Sequence, residues 1–434
     1  MSQTNPTPSA PKSSGLFRTA DGLNLLPTFI LVTSLFLLWG FCNGLIGLLN
    51  KHFQDALHIT KAESGLVESS NYIAYFLMAI PAGLFARRFG YKGGIIVGLS
   101  LITAGAFWFI PATHIGTFWA FLTGLFIIAS GMTCLETIAN PYTTLLGATE
   151  SSATRINIAQ TLNGSGWILS ALVGGQIIFG GTEEANNSNA SLYIPYLGIG
   201  LVVAVLIVIF CFAKVPDLKA DEEAVEERKG TGKKPLWKRW HFTFGVLSQF
   251  LYVAAQAGIF GFFVNYILEN DPHMTKLVAS KCLMVAYGLF TAGRLCGSFV
   301  VGALPPHRVL AGYAAINTVL MILVIHGGTS GFLALFAAFF FMSIMFPTIF
   351  ALGIRGLGDH TKLGSSLIVM SIVGGAIAPP LMGHIADTVS MHTAFFVPFG
   401  CFIGICIYGT LWQTLEYKDA NAPANKATVN FGRH

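Results

Sequence analysis

Charge is scarce in this 434-residue chain: Asp, Glu, Lys and Arg make up 10% of it, against about a quarter in an ordinary soluble domain. With 53% hydrophobic residues as well, a water-soluble globular protein is excluded. The seven cysteines are odd in number and none has CxxC spacing. They read as small apolar packing residues, with neither a disulfide framework nor a metal site. No Walker A phosphate loop is present, which argues against an ATP-driven pump. HExxH, GxSxG and an acidic pair suited to metal-assisted chemistry are missing too, so an enzyme is disfavoured and no cofactor is expected. No small-residue cleavage site follows the first apolar run, which is too long for a signal peptide.

What is present is apolar sequence in long runs. About 20 such residues cross a bilayer, and twelve runs qualify, near 27–50, 66–86, 93–112, 117–146, 155–179, 193–213, 240–266, 278–303, 308–326, 331–353, 364–387 and 393–415. Residues 1–22 are Ser-, Pro- and Thr-rich and read as a disordered tail. If the N-terminus is cytoplasmic, inside segments carry 20 of the 25 Lys and Arg, outside loops carry four, and Arg294 falls in a span. Because positive residues stay inside, both termini are expected in the cytoplasm, as are the linker 214–239 and the tail 416–434. The Asp221–Lys234 stretch interleaves acids with bases, so it reads as a solvated linker and not as a nucleic-acid patch. The Asn-x-Ser sites at Asn186 and Asn189 read as coincidental.

The linker splits the spans six and six, into halves 23–213 and 240–415. Asn140-Pro141-Tyr-Thr-Thr-Leu-Leu-Gly147 in span 4 has a weak counterpart in Phe346-Pro347-Thr-Ile-Phe-Ala-Leu-Gly353 in span 10. Gly83 to Gly98 likewise spans the same distance as Gly297 to Gly312. Two parallel six-helix halves with a site between them resemble the all-α architecture of the major facilitator superfamily. Gly40/Gly44, Gly90/Gly94/Gly98 and Gly293/Gly297 offer the four-residue spacing that lets membrane helices approach closely. Pro81, Pro141, Pro347 and Pro379-Pro380 would break helices near their ends or bend them.

Glu136 reads as the only carboxylate deep inside an apolar run, Phe121–Ile138. Such a group is costly in hydrocarbon, so it faces a cavity or a partner and usually carries function. Burial favours the neutral form of an acid, which suits proton exchange; the bland alternative is polar glue between helices. At helical spacing, span 1 aligns Trp39, Asn43 and Gly47, and span 4 aligns Thr133, Glu136, Asn140 and Thr144. Span 5 aligns Asn157, Gln160, Asn163 and Trp167, and span 7 aligns Gln249, Tyr252, Gln256 and Phe260. Amides beside aromatic rings can bind the hydroxyls and C–H faces of a neutral sugar, although any one of them could instead bond a neighbouring helix. Arg294 is expected to make a packing or gating hydrogen bond. His384 and Asp387 are expected near the surface.

Several segments carry a resemblance to a known family. They are Leu35-Phe-Leu-Leu-Trp39-Gly-Phe-Cys-Asn43, Cys134-Leu-Glu136-Thr-Ile-Ala-Asn140-Pro141 and Arg155-Ile-Asn157-Ile-Ala-Gln160-Thr-Leu-Asn163. The second half adds Gln249-Phe-Leu-Tyr252-Val-Ala-Ala-Gln256, Phe341 to Gly353, and Lys362-Leu-Gly364-Ser-Ser-Leu-Ile-Val-Met370. From about residue 27 to 415 the chain resembles the fucose:proton symporter family. The resemblance implies uptake of L-fucose or a related sugar with a proton, by alternating access, in a bacterial inner membrane. It implies Glu136 as the acid tied to sugar and proton, with Gln160, Asn163, Trp39, Asn43, Tyr252 and Gln256 lining the cavity. A monomer in the bilayer is expected, with sugar and proton as partners and no nucleic acid. Glu at 136 favours the fucose-like branch, since glucose/galactose members tend to have Gln there.

Two departures stand out. The family's span-1 Asp, associated with proton coupling, is Gly47 here. Arg87 and Arg88 also occupy a loop where the superfamily pattern has Asp, which weakens an inner-gate charge pair. The expectation is a sugar carrier with impaired coupling, unless Glu136 does both jobs. Alternatives are an uncoupled carrier for another hexose or amino sugar, or a sugar sensor that does not transport. On this reading, restoring Asp at position 47 should raise pH-driven uptake.

Overall fold

A computed structural model describes residues 17, 24–147, 152–181, 189–216, 236–357 and 361–421. The expected N-terminal tail (apart from Phe17), the Asp221–Lys234 linker core, Asn186 and the end of the C-terminal tail lie outside the described residues. Among the described residues, twelve helices are long and apolar enough to cross a membrane. Spans 1 to 6 are Leu26–Leu57, Lys61–Ala86, Arg88–Ile115, Phe118–Thr143, Ile158–Phe179 and Tyr193–Phe212. Spans 7 to 12 are Trp240–Gly261, Lys276–Val301, Pro306–His326, Gly328–Ile354, Ser366–Thr388 and Met391–Asp419. The expected runs are recovered; the largest offset is in span 1, which continues to Leu57. Its last turns, Lys51 to Asp55, are polar in sequence but held by a Lys51–Asp55 ion pair one helical turn apart.

Local chemistry sets the helix ends. Thr60 caps span 2 with its hydroxyl on the Glu63 amide, and the Glu63 carboxylate reaches back to the Thr60 amide, a reciprocal capping box. Spans 2 and 3 are nearly continuous, and the chain turns at Gly90 with φ 73° and ψ 174°, a conformation open to glycine and strained for other residues. The prolines depart from expectation, because helix continues through Pro81, Pro141 and Pro379-Pro380. Helix regularity is lost elsewhere: in a π-helical turn at Ser170–Gly174, at Phe262, at Ser343–Ile344 just before Pro347, and in a 3-10 turn at Ser371–Val373.

The glycine stripes do what their spacing suggests. A Cβ on Gly98 would lie 3.0 Å from the Gly131 carbonyl oxygen, so spans 3 and 4 touch backbone to backbone. In the second half a Cβ on Gly293 would lie 3.0 Å from the Phe340 carbonyl carbon, joining spans 8 and 10. Large apolar side chains such as Phe212 and Phe299 point outward, as lipid-facing residues do. The two halves meet along a seam formed by spans 1, 2 and 5 on one side and 7, 8 and 11 on the other.

Candidate functional site

We call the end bearing Leu57–Lys61 and Asn270–Lys276 the outer end, after the orientation expected from the charge asymmetry. Here the seam is densely bonded. Lys276 pairs with Asp55 at 2.8 Å and Lys61 with Glu269 at 3.1 Å. Asp387 accepts from the backbone amides of Lys61 and Ala62 at 3.1 and 2.8 Å, so span 11 supplies a carboxylate to the N-terminus of span 2. Asp387 thus lies at the surface as expected, but it bridges the halves, which its sequence neighbourhood does not reveal. Beneath it Asn265 donates to Gln54 at 2.6 Å, and Gln54 donates to Asn50 and Ser64. Deeper still an aromatic cluster crosses the seam, with Trp167 edge-on to Phe260 and Tyr287, and Phe260 stacked on Phe339.

Gly47 lies against this cluster. A Cβ there would be 2.7 Å from the Phe260 carbonyl oxygen and 3.5 Å from the Tyr287 hydroxyl. Tyr287 in turn donates to the Gly44 carbonyl at 3.4 Å. The position therefore permits close approach of spans 1 and 7, beyond merely lacking an acid. An Asp at 47 would collide with backbone in this closed arrangement, so the substitution would change packing as well as charge.

Toward the inner end lies Glu136, partly exposed in span 4. With Leu35, Phe36, Trp39, Leu135 and Ala139 it lines a cavity of ≈ 10 Å³, about enough for one water and far too small for a sugar. Tyr75 of span 2 reaches the same carboxyl and also interacts with Asn43. Its hydroxyl accepts from the Trp39 indole at 2.7 Å. Glu136, Trp39 and Asn43 are thus brought together, as their spacing suggested, through a tyrosine that the sequence reading passed over.

The other expected residues divide. Gln160 contacts Asn140 at 3.3 Å and accepts from Arg294 at 3.4 Å, which places Arg294 in a bond across the seam, as expected of a gating residue. Arg294 also lies over the Phe290 ring. Asn163 is buried and donates to the Phe36 carbonyl, joining spans 5 and 1; in this arrangement it acts as glue. Tyr252 is also buried, with its hydroxyl given to the Met342 carbonyl. Gln256 is half-buried, whereas Gln249 is fully buried, its amide lacking a hydrogen-bond partner among the described residues. The side chains of Thr144, Asn157 and Arg87 lie outside the described ones.

One expectation is overturned. Glu136 is not alone, because Glu68 is a second carboxylate within a span and only 4% exposed. Its neighbours Ser69, Ser70 and Asn71 disguise it as the polar start of a span. The missed signal is periodic: Glu68, Tyr72 and Tyr75 fall at i, i+4 and i+7, on one helix face.

A family model described as the Major Facilitator Superfamily matches residues 29–372. The L-fucose-proton symporter of Escherichia coli (strain K12) is 38% identical over 401 residues, spanning 88% of this chain and 92% of that protein. The glucose/galactose transporter of Brucella abortus (strain 2308) is 35% identical over 388 residues, with 88% and 92% covered. A crystal structure of the transporter FucP in the outward conformation is 36% identical and superposes with a TM-score of 0.65, covering 89% of this chain and 99% of that one. The D-xylose-proton symporter, 12% identical, reaches a TM-score of 0.72 over 93% and 99% of the two chains, a likeness of fold alone.

Proposed function

The chain belongs to the Major Facilitator Superfamily, and from that premise we infer that this twelve-span transporter carries a sugar together with a proton, L-fucose first among candidates. The observation that carries the reading is the Glu136 site. The Glu136 carboxyl, the Tyr75 phenol, the Trp39 indole and the Asn43 amide converge there, with the Gln160–Asn140 pair on the neighbouring turns of spans 5 and 4. Carboxylate and amide oxygens accept sugar hydroxyls, amide N–H groups donate to them, and an indole face stacks on the apolar side of the ring.

In the arrangement described the outer end is shut and the site has no room for a hexose. Alternating access requires the seam to part, first at one end and then at the other, with sugar bound between. On parting, Gln256, Gln249 and Tyr252 of span 7 would face Glu136 across the cavity, and the unpartnered Gln249 amide gains a hydrogen-bonding ligand. Glu136 binds a hydroxyl and exchanges a proton with the water that reaches it. The six-helix halves 23–213 and 240–415 are the moving bodies, in a bacterial inner membrane with both termini cytoplasmic.

Relatives described both as L-fucose-proton symporters and as glucose/galactose transporters leave two sugar classes to compare. Glu at 136 favours the first. The test is counterflow of radiolabelled L-fucose, D-glucose and D-galactose in proteoliposomes, followed by uptake under an imposed pH gradient. Saturable L-fucose counterflow with gradient-driven accumulation is expected. Counterflow of glucose or galactose alone reassigns the substrate. Binding of sugar without counterflow identifies a sensor.

A further inference from the structure

We propose that Glu68 is a second proton-binding site, set in the outer part of the seam and joined to Glu136 by Tyr72 and Tyr75 along one face of span 2. The inference rests on the transport reading above and adds the proton's route.

Glu68 lies seven residues inside the helix that starts at Lys61, about 10 Å from the outer end at 1.5 Å per residue. It faces the other half of the molecule. A Cβ on Gly261 would lie 3.1 Å from both its Cγ and its Oε1, so the carboxyl sits against span 7 where that helix loses regularity at Phe262. Span 8 presents Tyr287, which interacts with Glu68 electrostatically and also faces Gly47. Span 2 itself presents Tyr72, whose further ionisable neighbours are Tyr75, Tyr252 and Tyr287. Span 11 packs on the same stretch of span 2 through Gly375 against the Tyr72 ring and through the Ala376 carbonyl, which accepts from Ser69. No salt-bridge partner for Glu68 occurs among the described residues.

An ionised carboxylate sealed in such a place without a cation is strongly disfavoured against the neutral acid. The outer seam therefore closes on the neutral acid and opens more readily on the anion. Glu68 takes a proton from outside water while the seam is open, and closure carries that proton inward. Tyr72 lies one turn below Glu68, and Tyr75 the next turn on, in contact with the Glu136 carboxyl. Each phenol releases one proton as it accepts one, so the net movement is a single proton from Glu68 to Glu136. From there it leaves to the inside when the inner end of the seam parts. Span 1 offers no carboxylate at this depth, since position 47 is glycine, and Glu68 supplies the acid from the neighbouring helix.

The test compares the unaltered protein with Glu68→Gln and Glu68→Asp, using two readouts. In proteoliposomes, the ratio of pH-driven sugar accumulation to counterflow should fall roughly tenfold or more in Glu68→Gln and recover in Glu68→Asp. Without sugar, Ser280→Cys, a buried outer-seam position facing Gly175, reports opening through an impermeant maleimide. Its labelling should rise with pH in the parent and become independent of pH with Glu68→Gln. An unchanged ratio together with an unchanged pH response in Glu68→Gln overturns the proposal. A parent that shows no counterflow with any sugar sinks the transport reading instead, and the sugar-free labelling then still decides whether Glu68 binds the proton that closes the seam.

Discussion

Among the described residues, the outer and inner ends of the seam are joined by different kinds of contact. At the outer end two ion pairs, a carboxylate on a helix N-terminus, a buried amide chain and a glycine-permitted backbone contact tie the halves together. Toward the inner end Gln160 meets Arg294 across the seam at 3.4 Å. A transporter needs both ends to open, so neither can be tied permanently. The outer-end contacts hold the described state shut at that end, so changes to them should shift the equilibrium between the states.

Gly47→Asp should break the comparison most strongly. A side chain aimed at the Phe260 carbonyl overpacks the outer seam by about 1–3 kcal/mol, before the charge is counted. Since 1.4 kcal/mol is about tenfold, labelling of Ser280→Cys from outside should rise by about fivefold or more. Sugar counterflow should fall, because the carrier lingers open. If labelling stays at the parent level while pH-driven uptake rises, the position is purely an acid site and the close-approach argument fails.

Gln160→Glu sharpens the contrast from the opposite side, by giving Arg294 a carboxylate partner across the inner seam. A partly exposed pair of this kind is worth up to about 1 kcal/mol, or about fivefold in the open-outside population. Because Gln160 also belongs to the proposed sugar site, labelling of Ser280→Cys is the readout and transport is not. Asp387→Asn should act in the same direction, with about a two- to fivefold rise, by weakening the interaction with the span 2 N-terminus worth about 0.3–1 kcal/mol. A fall in labelling in either variant would mean that the inner end, and not the outer, sets the resting state.

The order of legibility follows the range of the interactions. Spans and glycine contacts depend on runs and spacings within a few turns, so they are readable along the chain. Glu136 is likewise visible because Leu, Ile and Phe surround it. Glu68 escaped because Ser69, Ser70 and Asn71 give its stretch the look of a polar helix end, and only the helices packed on it remove it from water. The surface place of Asp387 was legible but its bridge was not, since its partners at Lys61 and Ala62 lie more than 320 residues away. Tyr252 and Asn163 satisfied the spacing rule for a cavity, yet in this state they bond the Met342 and Phe36 carbonyls. Spacing locates a helix face, whereas the partner depends on which neighbour arrives there.

Salt should produce the smallest effect, and it separates the two kinds of outer contact. The Lys276–Asp55 and Lys61–Glu269 pairs are partly open to water, and the Debye length shrinks from about 10 Å at 0.1 M salt to about 3 Å at 1 M. Pairs of this kind contribute about 0.2–1 kcal/mol each at low salt. Their partial screening should raise Ser280→Cys labelling about twofold, less than either substitution at Gly47 or Gln160. The Gln54–Asn265 bond and the Gly47 contact involve no net charge and are buried, so salt leaves them in place and the seam stays mostly shut. A rise comparable to that of Gly47→Asp would assign the closure to the lysines, and the glycine contact would then be a consequence of closing and not a cause.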